Sequence, residues 1–340
     1  MGPQGAVHSG GINGRPVTHV GIPPAAKIER PNLARTRGSR KLLAAIALVA
    51  FIAVPEASAK PGTRSAAAPF SAASLASPPL TLGLDPFYRK YVDAAGIPIV
   101  GSAKAPDAAL RIARDIVKAM LAHRQDIRRE LVRQGTRVAV MAAEEGTMDL
   151  PEHAHWKKPA RNDPRLTACE RDRYDELILP LTDSAYWNHR TRGTGGTLTT
   201  IGAENLLAAP GSRYFGENIL VHEFSHPILA AIQRVDPALY DRVQKAYDRA
   251  LAAGKWKGDY ASVTVDEYWA EGTQFWFNSN MISRLDDGTV LSPSDLKAYD
   301  PLLHAVLEEA YGRRHRIAAD PFYKHLARLN VPLGRKSADC

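Results

Sequence analysis

The sequence predicts an α+β domain in which a small sheet comes first and a mainly helical half follows. Residues 96–102 read as a short strand or extended lead-in, 137–142 as a buried strand, and a third strand is expected through Ile201. Four later segments repeat apolar residues at helical spacing. The chain has 340 residues, 45% of them hydrophobic and 24% charged, the balance of a globular protein. Two cysteines, Cys169 and Cys340, are too few for a disulfide scaffold or a cysteine-rich zinc finger.

The first 59 residues read as an export signal. A basic cluster at 37–41 precedes thirteen apolar residues, 42–54, and Ala57-Ser58-Ala59 has the small-x-small form of a cleavage site. Thirteen helical residues span about 20 Å, short of the ~30 Å hydrocarbon core, so no stable membrane span is expected after cleavage at Ala59. A secreted or periplasmic location follows. This leader also explains the net charge of +8: residues 1–59 contribute +5, leaving +3 for the remainder. A nucleic-acid partner is therefore not expected. Residues 60–82, rich in Ala, Ser and Pro, read as a linker, and 83–335 as a single domain.

Within that domain, 106–133 carries one helical pattern (Ile112, Ile116, Met120, Leu121, Ile127, Leu131), stopped by Gly135. Residues 143–175 are polar and form a long excursion. The Gly/Thr-rich stretch 191–200 reads as flexible at first and then as strand, with Gly193 to Gly196 a candidate mobile flap beside the cleft. Helices are expected at 218–235, at 237–253 with Leu239, Val243, Ala246 and Leu251 inward, at 265–278 and at 300–311.

The chemistry is concentrated at His222-Glu223-Phe224-Ser225-His226, an H-E-x-x-H motif. Residues i and i+4 of a helix share a face, so both imidazoles can reach one zinc ion, and Glu223 is placed to take a proton from water activated there. Pro227 removes a backbone donor and disfavours helical geometry at His226, so a kink or bulge is expected just after the pair. A catalytic zinc needs a third protein ligand. Glu267 and Glu271 share one face of an otherwise apolar helix, and either can serve; Thr264 to Glu267 also fits a capping box, which would leave the role to Glu271. His153 and His155 alternate in a polar stretch and read as solvated. Gly193 to Gly196 lacks the ending of a phosphate loop, and Ser225 lacks a nucleophile elbow.

HEFSH followed 41 residues later by EYWAEG resembles the long-spacer gluzincin metallopeptidases, a group that includes the catalytic domain of anthrax lethal factor, the Pro-Pro endopeptidases and Mlc titration factor A. The likeness covers roughly residues 200–311. It implies a zincin-like domain with one zinc ion held by His222, His226 and Glu267. It makes Glu271 the supporting residue behind them and Tyr260, seven residues before Glu267, the donor to the oxyanion. It also implies that an edge strand before the zinc helix aligns extended peptide, with 197–202 or 204–208 as candidates. The resulting expectation is an exported zinc metallopeptidase acting on peptide or protein. The alternatives are a zinc amidase acting on cell-wall peptide and a non-catalytic, zinc-stabilised binding protein of the envelope.

Overall fold

The computed structural model describes residues 75–163, 166 and 168–330. The expected leader and most of the linker lie outside them. The chain enters with strand β1 (Lys90–Ala94), turns at Ala95-Gly96, where both residues have positive φ, and returns as β2 (Ile97–Gly101). Helices α1 (Asp107–Met120) and α2 (Gln125–Arg133) lead to β3 (Arg137–Met141). The excursion that follows holds α3 (Ala168–Asp172), α4 (Tyr174–Leu177) and α5 (Asp183–Arg190). Then come β4 (Gly193–Thr194), β5 (Leu198–Gly202) and α6 (Ala203–Leu206). The second half is α7 (Ile219–Val235), α8 (Pro237–Ala252), α9 (Val265–Trp276), the hairpin β6 (Ser283–Leu285) and β7 (Gly288–Val290), α10 (Pro293–Tyr299) and α11 (Pro301–Tyr311). The class is α+β, a small sheet with most of the helices after it.

The main sheet has the order β1-β2-β3-β5-β4. Its inner pairs, β2 with β3 and β3 with β5, are parallel, and the outer two are antiparallel. Strand β3 shows why RVAVM must be a buried strand. Val138 and Val140 point into the main core, shared with α1 and α7, while Ala139 and Met141 point to a second cluster under Tyr88 and Leu150.

Several expectations are corrected. The helical pattern at 106–133 is two helices, because Arg124 takes extended backbone and bridges Asp126 and Asp236 at 2.6 and 3.1 Å. Leu251 is exposed, and Ala250 takes its inward place on α8. Helix α7 spans Ile219–Val235 with Pro227 inside it, so the chain stays helical past the histidine pair. The segment 204–208 is helical at α6, and β5 is paired on both sides, so neither candidate is the sheet edge; β4 is. That same stretch is no loose flap: Gly193 and Thr194 are buried and laddered to β5, with Thr194 Oγ1 2.8 Å from Thr200 Oγ1. His153 is buried rather than solvated. Its Nδ1 lies 2.9 Å from the Thr147 carbonyl, and its ring stacks on Trp156. Cys169 is disulfide-bonded; Cys340 lies outside the described residues. Among the described residues, no helix is long and apolar enough to cross a membrane.

Candidate metal centre

Helix α7 is buried on nearly every side, because ILVHEFSHPILAAIQRV offers apolar residues all round. Asn218 caps it, its Oδ1 accepting from the Val221 N–H at 3.3 Å. Helix α9 packs across α7 and is pinned there by the Trp269 indole, which donates to the Ser225 carbonyl at 3.1 Å. Thr264 caps α9 by accepting from the Glu267 N–H at 3.2 Å. The Glu267 side chain does not complete the capping box; it turns instead toward the two imidazoles of α7.

His222, His226 and Glu267 thereby form a buried group able to hold a metal ion, with one ligand atom from each lying within 4.8 Å of the others. No other such group occurs among the described residues. Glu267 Oε2 lies 3.0 Å from His222 Nε2 and 3.7 Å from His226 Nε2. Glu223 Oε2 is 3.9 Å from His226 Nε2, and its other oxygen, Oε1, is buried with no hydrogen-bond partner. Tyr260, in a short 3-10 turn against α9, is buried and lies against the His222 ring, centroids 6.2 Å apart.

The electrostatics of the group are tightly coupled. Burial opposes charge on His222, but Glu267 outweighs it, and the imidazole is raised to about 10. Burial also opposes charge on Glu267, yet His226, His222 and the Tyr260 hydroxyl hold it below the usual carboxylate range. Glu223 is raised to about 8 by burial, with Glu267 and Glu217 adding to the shift and His222 opposing it. Burial pushes the Tyr260 phenol well up.

Glu271 sits behind His222, with Oε1 3.5 Å from Nδ1. A closer partner is Gln274, whose Oε1 is 3.0 Å from the same nitrogen. Sequence reasoning missed it, although Glu267, Glu271 and Gln274 follow i, i+4, i+7 spacing and share one face of α9. It placed Gly193 and Gly195 beside the cleft only as part of a mobile flap, not as fixed contacts of the site. A Cβ at 193 would lie 2.6 Å from Ile219 Cγ2 and 3.2 Å from Glu223 Cγ, and one at 195 would lie 2.5 Å from His226 Cδ2. The β4 ribbon thus lies directly on Glu223 and His226, and only residues without a side chain fit there. No local pattern could reveal that, since the contact joins segments some thirty residues apart. Comparison with protein-family models, with curated proteins and with solved structures gives no match for this chain.

Proposed function

We propose that this chain is a zinc-dependent metallopeptidase with a zincin-like domain of the long-spacer gluzincin type, exported and acting on peptide or protein. The observation that carries the reading is the pairing of a buried His222–His226–Glu267 donor set with Glu223, whose Oε1 has no other partner. The donor chemistry suits zinc, which takes imidazole and carboxylate ligands at about 2.0–2.2 Å. Tetrahedral bonds of that length put ligand atoms roughly 3.3 Å apart, between the 3.0 and 3.7 Å separations around Glu267 Oε2. A bound zinc ion supplies Lewis acidity, polarising a carbonyl and making water a usable nucleophile at neutral pH.

The residues of the chain divide the remaining work. Glu223 would take the proton of the attacking water at Oε1, the oxygen with no other hydrogen-bond partner, and hand it to the leaving amine. Tyr260 keeps its proton, because burial lifts the phenol far above neutrality, and so donates to the developing oxyanion. Glu267, below the usual carboxylate range, stays ionised as a ligand.

Glu223→Gln tests the reading. It should keep about one zinc per chain and lose peptide hydrolysis roughly 10²–10⁴-fold in a peptide-library assay. His222→Ala should lose the metal. Wild-type turnover in Glu223→Gln, or one zinc per chain in His222→Ala, would overturn the mechanism. A second reading is favoured by one observation: His222, Glu223, His226 and Glu267 are each 4% exposed or less. A centre so enclosed also suits a metal that only stabilises a binding protein. In that case wild type binds zinc but hydrolyses no peptide, and Glu223→Gln changes nothing.

A further inference from the structure

Resting on the reading of this centre as a metal site, we infer that Gln274 is the positioning residue that fixes the orientation and tautomer of His222. The hydrogen-bond polarity around Gln274 is forced by its partners. Gln274 is fully buried, and its amide has two partners. One is the backbone carbonyl of Asn218, 3.1 Å from Nε2. A carbonyl only accepts, so that end of the amide must be the NH₂. Oε1 then faces His222 Nδ1 at 3.0 Å and can only accept, so Nδ1 must carry the proton. With Nδ1 committed to Gln274, Nε2, the nitrogen turned to Glu267, is the one left to give up its proton and offer a lone pair to a metal.

Asn218 is itself held in place by its side chain: Oδ1 accepts from the Val221 N–H, and Nδ2 donates to Asp320 Oδ1 at 2.8 Å. These bonds fix the position of Asn218, while the donor direction at Gln274 is set by the Asn218 backbone carbonyl. Metal-binding histidines commonly donate their second N–H to a carboxylate, which raises the basicity of the ring. Here the acceptor is a neutral amide, although the carboxylate of Glu271 lies 3.5 Å from the same nitrogen. The amide orients the ring without adding charge to a centre that already buries Glu223 and Glu267.

The test uses the full chain with ¹⁵N-labelled histidine, as wild type, Gln274→Met and Gln274→Glu. Two quantities are read: zinc affinity by chelator competition, and the imidazole ¹⁵N–¹H spectrum, with His222→Gln assigning the resonance. Wild type should show a slowly exchanging proton on Nδ1 of His222. Gln274→Met, similar in length but without an acceptor, should lose that signal and bind zinc 10–100-fold more weakly. Gln274→Glu, protonated at the oxygen that faces the Asn218 carbonyl, keeps a donor there and an acceptor toward His222, and should restore both. Unchanged affinity with an intact signal in Gln274→Met overturns the proposal. So does a Gln274→Glu variant as impaired as Gln274→Met, since packing alone would then explain the loss. If Gln274→Met fails to fold, the wild-type signal decides: an Nδ1 proton kept in Gln274→Glu supports the assignment, and its absence from wild type overturns it. If wild type binds no zinc, the functional reading fails separately, and the hydrogen bond is still read in the metal-free protein: slow exchange of the Nδ1 proton in wild type but not in Gln274→Met supports the proposal, and equal exchange in both overturns it.

Discussion

Replacing Gly195 by alanine should damage the candidate metal centre without replacing any of its donor residues. A methyl group at 195 would lie 2.5 Å from His226 Cδ2 and 2.9 Å from its Cβ and Cγ. Carbon atoms rest about 3.5–4.0 Å apart, so roughly 1 Å of movement is required. Neither side yields easily. His226 is buried on a helix packed all round, and the ribbon is laddered to β5 through Gly193 and Thr194. If both hold, the overpacking costs about 1–3 kcal/mol, which is roughly 2–10 °C in melting temperature for a domain of this size. If the imidazole swings instead, a displacement of ~1 Å far exceeds the ±0.2 Å that a metal bond tolerates, and zinc affinity should fall at least tenfold. Thermal melts and chelator competition on the same samples read both routes. Gly135→Ala is the control. Gly135 has φ +70° with open space around it, so alanine there costs about 1–2 kcal/mol of backbone strain away from the centre. It should lower the melting temperature and leave zinc affinity intact. Wild-type melting and wild-type affinity in Gly195→Ala would refute the close approach of ribbon and helix.

Two further predictions concern stability. Burial pushes His153 down to about 4 from 6.5, only partly opposed by the Thr147 carbonyl, so folding favours its neutral form. Its contribution is full above pH 6.5 and is lost as pH falls from 6.5 toward 4; at pH 5 the loss is about 2 kcal/mol. Denaturant melts at pH 7 and pH 5 should show a smaller drop in His153→Gln than in wild type, and equal drops would contradict the assignment. Asp300 accepts from the Trp256 indole at 2.9 Å and the Tyr268 hydroxyl at 2.7 Å, and it caps α11 through the Leu303 N–H. Asp300→Ala would orphan two buried donors and a cap, costing roughly 3–5 kcal/mol, or about 10 °C, in thermal unfolding. A loss under 1 kcal/mol would show that water reaches those groups.

The elements legible in the sequence are those whose signals are local. Asn218, Thr264 and Asp300 each mark a helix start with a side chain that does cap the backbone. The apolar run of β3 reads as interior strand from its composition alone, and that of β2 as a strand or an extended lead-in. What escaped is fixed at long range. Strand β1, KYVDA, has no apolar run and forms because the Ala95-Gly96 turn folds it back on β2. The break between α1 and α2 has no glycine or proline; Arg124 makes it by reaching Asp236, 112 residues away. His153 looked solvated in a polar stretch, but Trp156 covers it. At the centre, i and i+4 spacing brought His222 with His226 and Glu267 with Glu271. Which glutamate faces the imidazoles was decided by how α9 crosses α7, and that is a property of the packing.

That packing bears on what the centre is for. Glu223 and Glu267 are brought out of water around two imidazoles, and burial alone disfavours every charge among them. A fold selected only for stability has no use for such a cluster, since apolar side chains of like volume would serve as well or better. A cation explains His222, His226 and Glu267, because three converging donors then share one positive partner. It does not explain Glu223. An ion that merely braced the fold would need no carboxylate with an unsatisfied oxygen set beside it. Nor would it need the chain to run two glycines across α7 so that this carboxylate and His226 keep their places. The cost of holding Glu223 buried is understandable if its proton affinity is used, which is why the Glu223→Gln variant separates a catalytic centre from a structural one more sharply than removal of any ligand.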